Sequence, residues 1–354
     1  MLVWWTACKC RIPETATAIA LRQSDMHAAR NPISSRQRLS RRRALLAAIA
    51  VLSVGVALSI RIMLRSYSSA RENFVGYPAA PISSHPEQTG IPGLAAVSFP
   101  TPGGRTVSGW YSTSRNRAGV IVVHGTHSDR SSQLVETRLL ASAGFGLLAF
   151  DWPGFGQSEP DGEVRWGVKE RAALTAAIDW LITQPDVDPN RIGGYGMSYG
   201  GMVMGQVAAR DSRLNAVVLA AVPTELNAQM DYEYRRWWLL SALPARRALR
   251  DAGVTDGAAP MTELVAQIAP RPLLLVTGDQ DRVVPASMTQ TLYEAAKAPK
   301  EMWTIPGAGH GDFGGADPTA YGARLTRFFR TALLEWPRGA DTAPVARAPA
   351  GGPR

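Results

Sequence analysis

Gly196-Met197-Ser198-Tyr199-Gly200 sets a serine between two glycines, after an apolar run and before a helical pattern. Glycines two positions to either side permit a sharp strand-to-helix turn that side chains would block, and such a turn lifts the hydroxyl clear of the backbone. A serine hydroxyl is a weak nucleophile at neutral pH and needs a base. His310 is the expected base, because Gly307-Ala308-Gly309-His310-Gly311 is a loop of small residues directly after the last apolar run. A carboxylate must then hold the imidazole in one tautomer and stabilise its cation. Gly278-Asp279-Gln280-Asp281 follows another apolar run; Asp281 is the expected partner, with Asp279 shaping the turn. A tetrahedral intermediate also needs donors at its oxyanion. The backbone N–H groups of Tyr199 and of Thr126, in the loop after His124-Gly125, are the candidates. His124 is read as shaping that loop and His127 as lining the site. The chemistry these residue types can perform together is acyl transfer.

Positioning these groups requires strand ends. Apolar runs at 95–99, 106–112, 119–123, 145–150, 191–194, 216–222, 273–277 and 301–305 read as strands, the first two as an opening hairpin. Helical patterns at 133–143, 168–183, 199–209, 287–297 and 318–334 fall between most of them. The expected fold is α/β, a mostly parallel central sheet flanked by helices. Each motif above then lies at the carboxyl end of a strand, where such sheets gather functional groups. Residues 224–268 interrupt the alternation and read as a small helical cap. Its aromatic residues Tyr232, Tyr234, Trp237 and Trp238 are expected at the pocket, with plain core packing as the other reading.

The ordered set His124-Gly125-Thr126, Asp151-Trp152-Pro153-Gly154-Phe155-Gly156-Gln157-Ser158, the Ser198 turn, Gly278–Pro285 and Gly309-His310 resembles the α/β-hydrolase superfamily. Within it the chain looks like the dienelactone-hydrolase-like and membrane-tethered α/β-hydrolase-domain branches. The order Ser…Asp…His suits that fold. The resemblance implies esterase, thioesterase, lipase or peptidase chemistry without metal or organic cofactor. Trp152-Pro153 departs from the Tyr-Arg that relatives often carry, in a loop read as structural.

Residues 1–75 hold twelve Lys or Arg against three acids, and the remainder holds 26 of each, so the whole formal charge of +9 belongs to the N-terminal segment. The catalytic part therefore offers no electrostatic case for nucleic acid. Arg41-Arg42-Arg43 runs into an uncharged stretch, and 44–64 would span roughly 31 Å as a helix, about one bilayer core. Seven arginines lie from Arg22 to Arg43, against three from Arg61 to Arg71. The positive-inside rule then predicts a single-pass protein of the inner (cytoplasmic) membrane, N-terminus in the cytoplasm and catalytic domain outside. The division read from this is a basic leader at 1–43, a signal-anchor helix at 44–64, a tether at 65–93, the hydrolase domain at 94–334 and a disordered tail at 335–354. A signal peptide cleaved near Ser68-Ser69-Ala70, releasing a secreted enzyme, is the second reading, and Met26 is an alternative start.

Cys8 and Cys10 supply at most half a tetrahedral metal site. His-Glu-x-x-His and a dinucleotide-binding glycine turn are both missing from the sequence. The reading is a serine hydrolase acting on a small-molecule or lipid-like acyl substrate, an ester or thioester. An aminopeptidase or oligopeptidase on the same residues is the first alternative, with Glu225, Asp231 or Glu233 anchoring the substrate amine. A catalytically silent binding module of the same fold is the second.

Overall fold

The strands 119–123, 146–150 and 192–197 carry no charged residue and are buried throughout, which a sheet covered on both faces requires. The computed structural model describes residues 35–75, 85–160, 166–254 and 259–336. It divides into two units, Met1–Ala57 and Leu58–Arg354. In the second, the strands β1 (Ala95–Pro100), β2 (Thr106–Ser112), β3 (Gly119–Val123), β4 (Gly146–Phe150), β5 (Ile192–Met197), β6 (Leu214–Ala220), β7 (Leu273–Gly278) and β8 (Lys300–Ile305) form one sheet. Its order is β1-β2-β4-β3-β5-β6-β7-β8. The first hairpin is antiparallel and pairs antiparallel with β4; every later pairing is parallel.

Helix α1 (Ser35–Phe74) comes first, then α2 (Leu134–Ser142), α3 (Val168–Ile182) and α4 (Tyr199–Ala208). Between β6 and β7 stand α5 (Leu226–Glu233), α6 (Trp238–Asp251) and α7 (Met261–Val265), which make the small helical cap and its return. Helices α8 (Ala286–Ala295), α9 (Phe313–Ala316) and α10 (Pro318–Arg330) complete the order. Alternate strand residues serve opposite faces. Ile121, Val123, Leu148 and Phe150 pack with residues of α3, α4, α7 and α8. Val120, Val122, Leu147 and Ala149 pack with residues of α2 and α10. On that second face a buried polar cluster ties three elements: Tyr321 Oη donates to Glu136 Oε1 at 2.7 Å, and Tyr195 Oη lies 3.0 Å from Tyr321 Oη.

Within the described residues α1 is the helix long and apolar enough to cross a membrane, and none of its apolar stretch is buried. It also runs past Leu64, so residues 65–74, read from their serines as the start of a tether, are helical instead. Ser66, Ala70 and Phe74 are buried at a spacing of four, one helical face, and that packing outweighs the weak helix propensity of the serines. The leader up to residue 34, the tether at 76–84 and the tail from 337 lie outside the described residues, as do Cys8, Cys10 and Met26.

Candidate active site

Ser198 is the cap residue between β5 and α4, with φ +53° and ψ −118°. A non-glycine residue seldom takes that conformation, and it persists because the surroundings over-determine it. Ser198 N–H still donates to Ala220 O at 2.8 Å, which extends the β5–β6 pairing into the turn. A Cβ on Gly196 would stand 2.6 Å from Gly200 O, and one on Gly200 2.4 Å from His124 O. Both glycines are therefore required by close backbone approach.

The loop after β8 carries His310 to the same place. His310 Nε2 lies 3.1 Å from Ser198 Oγ, and His310 Nδ1 lies 2.8 Å from Asp281 Oδ2. An ionised carboxylate only accepts, so Nδ1 carries the proton and Nε2 is left to accept from the serine hydroxyl. The other Asp281 oxygen accepts from the N–H groups of Val283 and Val284, each at 2.8 Å, and the carboxylate is fully buried. Asp279 faces the other way: its Oδ1 accepts from Gly307 N–H at 2.8 Å, at the base of the histidine loop.

Thr126, His127, Ser198, Tyr199 and His310 line one cavity of about 280 Å³. Phe74, Trp166, Pro223, Val283 and Val284 give it apolar walls, while Asn73, Gln229 and Glu233 supply polar edges. Glu233 is exposed at the cavity edge, and partial desolvation by its neighbours raises its carboxyl above the usual carboxylate range. Gln229 Nε2 donates to Val283 O at 2.8 Å, which fastens the cap to the Asp281 loop. His124 is fully buried below this cavity. Its Nδ1 lies 2.7 Å from Gly125 O and its Nε2 accepts from Trp152 N–H at 3.2 Å. Burial lowers its pKa to about 4, so the ring is neutral and serves to brace the loop that carries Thr126.

Residues 131–335 match the prolyl oligopeptidase family of peptidases. The chain belongs to that family. Its chain is also 30% identical over 268 residues to the uncharacterized protein Rv2307c of Mycobacterium tuberculosis, covering 75% of this chain and 89% of that one. Among solved structures, the esterase Pf2001 of Pyrococcus furiosus superposes with a TM-score of 0.60 at 22% identity, over 73% of this chain and 100% of that one. The α/beta hydrolase GrgF from a Penicillium species does so with a TM-score of 0.57 at 20% identity, over 68% and 99%. At those identities the structures speak for the fold, which is that of the α/β-hydrolase superfamily. The family is one of serine hydrolases, and this chain is a member enzyme.

The residues expected to act together lie together: Ser198, His310 and Asp281 form one hydrogen-bonded chain, with Thr126, Tyr199 and His127 beside it. Of the cap aromatics, Tyr232, Tyr234 and Trp237 do not. Tyr232 stacks under the Arg235 guanidinium at 4.1 Å, Tyr234 Oη donates to Ser69 Oγ at 3.1 Å, and Trp237 is exposed. These side chains are turned to α1 or to solvent, and α5 meets the pocket through Gln229 and Glu233 instead. Trp238 opens α6, and its side chain lies outside the described residues.

Sequence reading also missed a buried ion pair. Arg130 N–H donates to Asp151 Oδ1 at 2.8 Å and its Nη1 to Asp151 Oδ2 at 2.5 Å, while Nη2 reaches Gln157 Oε1. The pair joins the Thr126 loop to the 151–158 loop. Its sequence signal, one arginine and one aspartate 21 positions apart, is indistinguishable from two surface charges. Among the described residues no group of three or more His, Cys, Asp or Glu is placed to hold a metal ion.

Proposed function

We propose that this chain is a membrane-anchored serine hydrolase that cleaves an ester or thioester through Ser198, His310 and Asp281. The observation that carries the reading is the continuous hydrogen-bonded line from Ser198 Oγ through the imidazole to a fully buried carboxylate, opening on a walled cavity. Ser198 Oγ attacks the acyl carbonyl while His310 Nε2 takes its proton. The negative charge on the carbonyl oxygen is met by the N–H groups of Tyr199 and Thr126. Collapse breaks the bond to the leaving oxygen or sulfur, which receives the proton from His310, and leaves an acyl-serine. Water, deprotonated by the same nitrogen, then attacks that carbonyl and frees the acid and the serine. A cavity of about 280 Å³ is near the lower limit of roughly 300–1,000 Å³ for small-molecule sites, which favours a short or medium acyl group over a long peptide.

A second reading keeps one supporting observation. Of the three carboxylates expected to anchor a substrate amine, Asp231 pairs with Arg246 and Glu225 lines a different cavity, but Glu233 lines this one. An aminopeptidase would use it. The arginine imbalance around the apolar stretch of α1 favours a cytoplasmic N-terminus and an exported catalytic unit. The decisive experiment is labelling of the full chain in detergent with a fluorophosphonate, wild type beside Ser198→Ala. Labelling is expected in the wild type alone, with hydrolysis in the variant down by at least ~10³-fold. A panel of acyl esters and aminoacyl amides then separates the two readings. A folded wild type that takes no label would sink both.

A further inference from the structure

The last turns of α1 belong to the catalytic pocket. Ala70, Phe74 and Val75 are buried in the same core as β3, α3 and α4, and Asn73 and Phe74 line the cavity that holds Ser198 and His310. The final carbonyls of a helix lack partners within it and must find them elsewhere. Here the partners come from the site itself. His127 Nε2 lies 3.1 Å from Asn73 O, on the loop of the oxyanion candidate Thr126, and Trp166 Nε1 donates to Phe74 O. The Phe74 and Trp166 rings lie 5.5 Å apart, and Trp166 meets Tyr199 edge-on at 4.6 Å, which places the aromatic stack directly beside the nucleophile. One turn and more earlier, Ser69 accepts from Tyr234 Oη at 3.1 Å, and Tyr67 Oη donates to Asp251 Oδ2 at 3.2 Å, which tie α1 to the ends of α5 and α6.

We infer that residues 66–75 are a permanent wall of the active site, that Phe74 sets the length of acyl group the pocket accepts, and that the working enzyme therefore keeps its N-terminal helix. Cleavage near Ser68-Ser69-Ala70 would remove Tyr67 and Ser69 and leave the pocket wall as about one frayed turn. The wall is also near the apolar stretch: Asn73 follows Leu64 by nine residues, about 14 Å along a helix. This inference rests on the hydrolase reading above, and wild-type labelling of Ser198 checks that reading separately.

The test uses the full chain in detergent with nitrophenyl esters of four, eight and twelve acyl carbons, for wild type, Phe74→Leu and Phe74→Ala. Removing apolar bulk from a pocket wall changes discrimination by roughly 10-fold or more. The kcat/KM ratio of the eight-carbon to the four-carbon ester is expected to rise about 10-fold in Phe74→Ala and by less in Phe74→Leu. A merely structural Phe74 would lower all three esters alike, and an unchanged ratio in a labelled, folded variant overturns the assignment. If the alanine variant does not fold, Phe74→Leu carries the same comparison. N-terminal sequencing of the enzyme isolated from its own membranes should find a start upstream of Ser66; a start at Arg71 would overturn retention of the helix.

Discussion

Asp281 and Asp279 stand two residues apart, and what each carboxylate accepts separates their roles. Asp281 takes the imidazole proton donor and two backbone donors; Asp279 takes Gly307 N–H. Asp281→Asn keeps an acceptor for Val283 and Val284 but sets an amide donor against His310 Nδ1, forcing the wrong tautomer. Turnover is expected to fall by about 10⁴-fold with the fold intact. Asp279→Asn still offers an oxygen to Gly307 and should stay within a few-fold of wild type; the reverse ranking in steady-state kinetics would exchange the two roles. His124 makes a different prediction, in stability. Its folded pKa, about 4, lies below the unfolded value of 6.5, so the unfolded chain binds the proton first as pH falls. The stability contributed by the neutral ring is complete above pH 6.5 and is lost on the way down to pH 4. The margin of wild type over His124→Asn, measured by chemical denaturation, should therefore shrink by about 3 kcal/mol between pH 7.5 and pH 4. A margin that stays flat across that range would mean the ring is not held neutral by burial.

At the scale of elements, the turn between β5 and α4 depends on backbone contact rather than on side chains. A Cβ on Gly200 would meet two carbonyl oxygens of β3 and its exit, those of His124 at 2.4 Å and Val123 at 2.9 Å. Neither can move without disturbing the sheet. Gly200→Ala should cost about 2–3 kcal/mol, roughly 5–10 °C in melting temperature, and weaken probe labelling as the turn shifts. A variant that melts with wild type would show the turn to be softer than its contacts imply. This glycine was legible in the sequence because G-x-S-x-G encodes a steric demand within five residues. The strands were legible for a similar reason, since burial on both faces writes an unbroken apolar run such as Gly119–Val123. The pocket wall from α1 was not. Ser66-Tyr67-Ser68-Ser69-Ala70 has the composition of a linker, and only contacts of this helix end with residues 54 to 184 positions away make it helix and wall. The cap departs the other way: Tyr232, Tyr234 and Trp237 announce an apolar purpose, yet sequence gives no direction, and α5 meets the pocket through the polar Gln229 and Glu233.

For the molecule as a whole, charge is sharply partitioned. The formal charge of +9 lies within residues 1–75, while the remainder balances to zero. Orientation depends on the basic residues flanking the apolar stretch, counted within about 15–20 residues of its ends. Arg30, Arg36, Arg38, Arg41, Arg42 and Arg43 precede it, and Arg61, Arg65 and Arg71 end or follow it. On the proposed topology the larger number stays in the cytoplasm and the catalytic unit is carried across. A phosphatase reporter that works only outside the cytoplasm, fused after Arg354, should therefore be active. Replacing Arg36, Arg38, Arg41, Arg42 and Arg43 by Gln leaves the three distal arginines in excess and should lower that activity severalfold as part of the population inverts. Membrane pellets washed with alkaline carbonate should retain both forms, since the apolar stretch is unchanged. A wild-type fusion active only with a cytoplasmic reporter would reverse the proposed sidedness without touching the chemistry, because Ser198, His310 and Asp281 meet within the second unit alone.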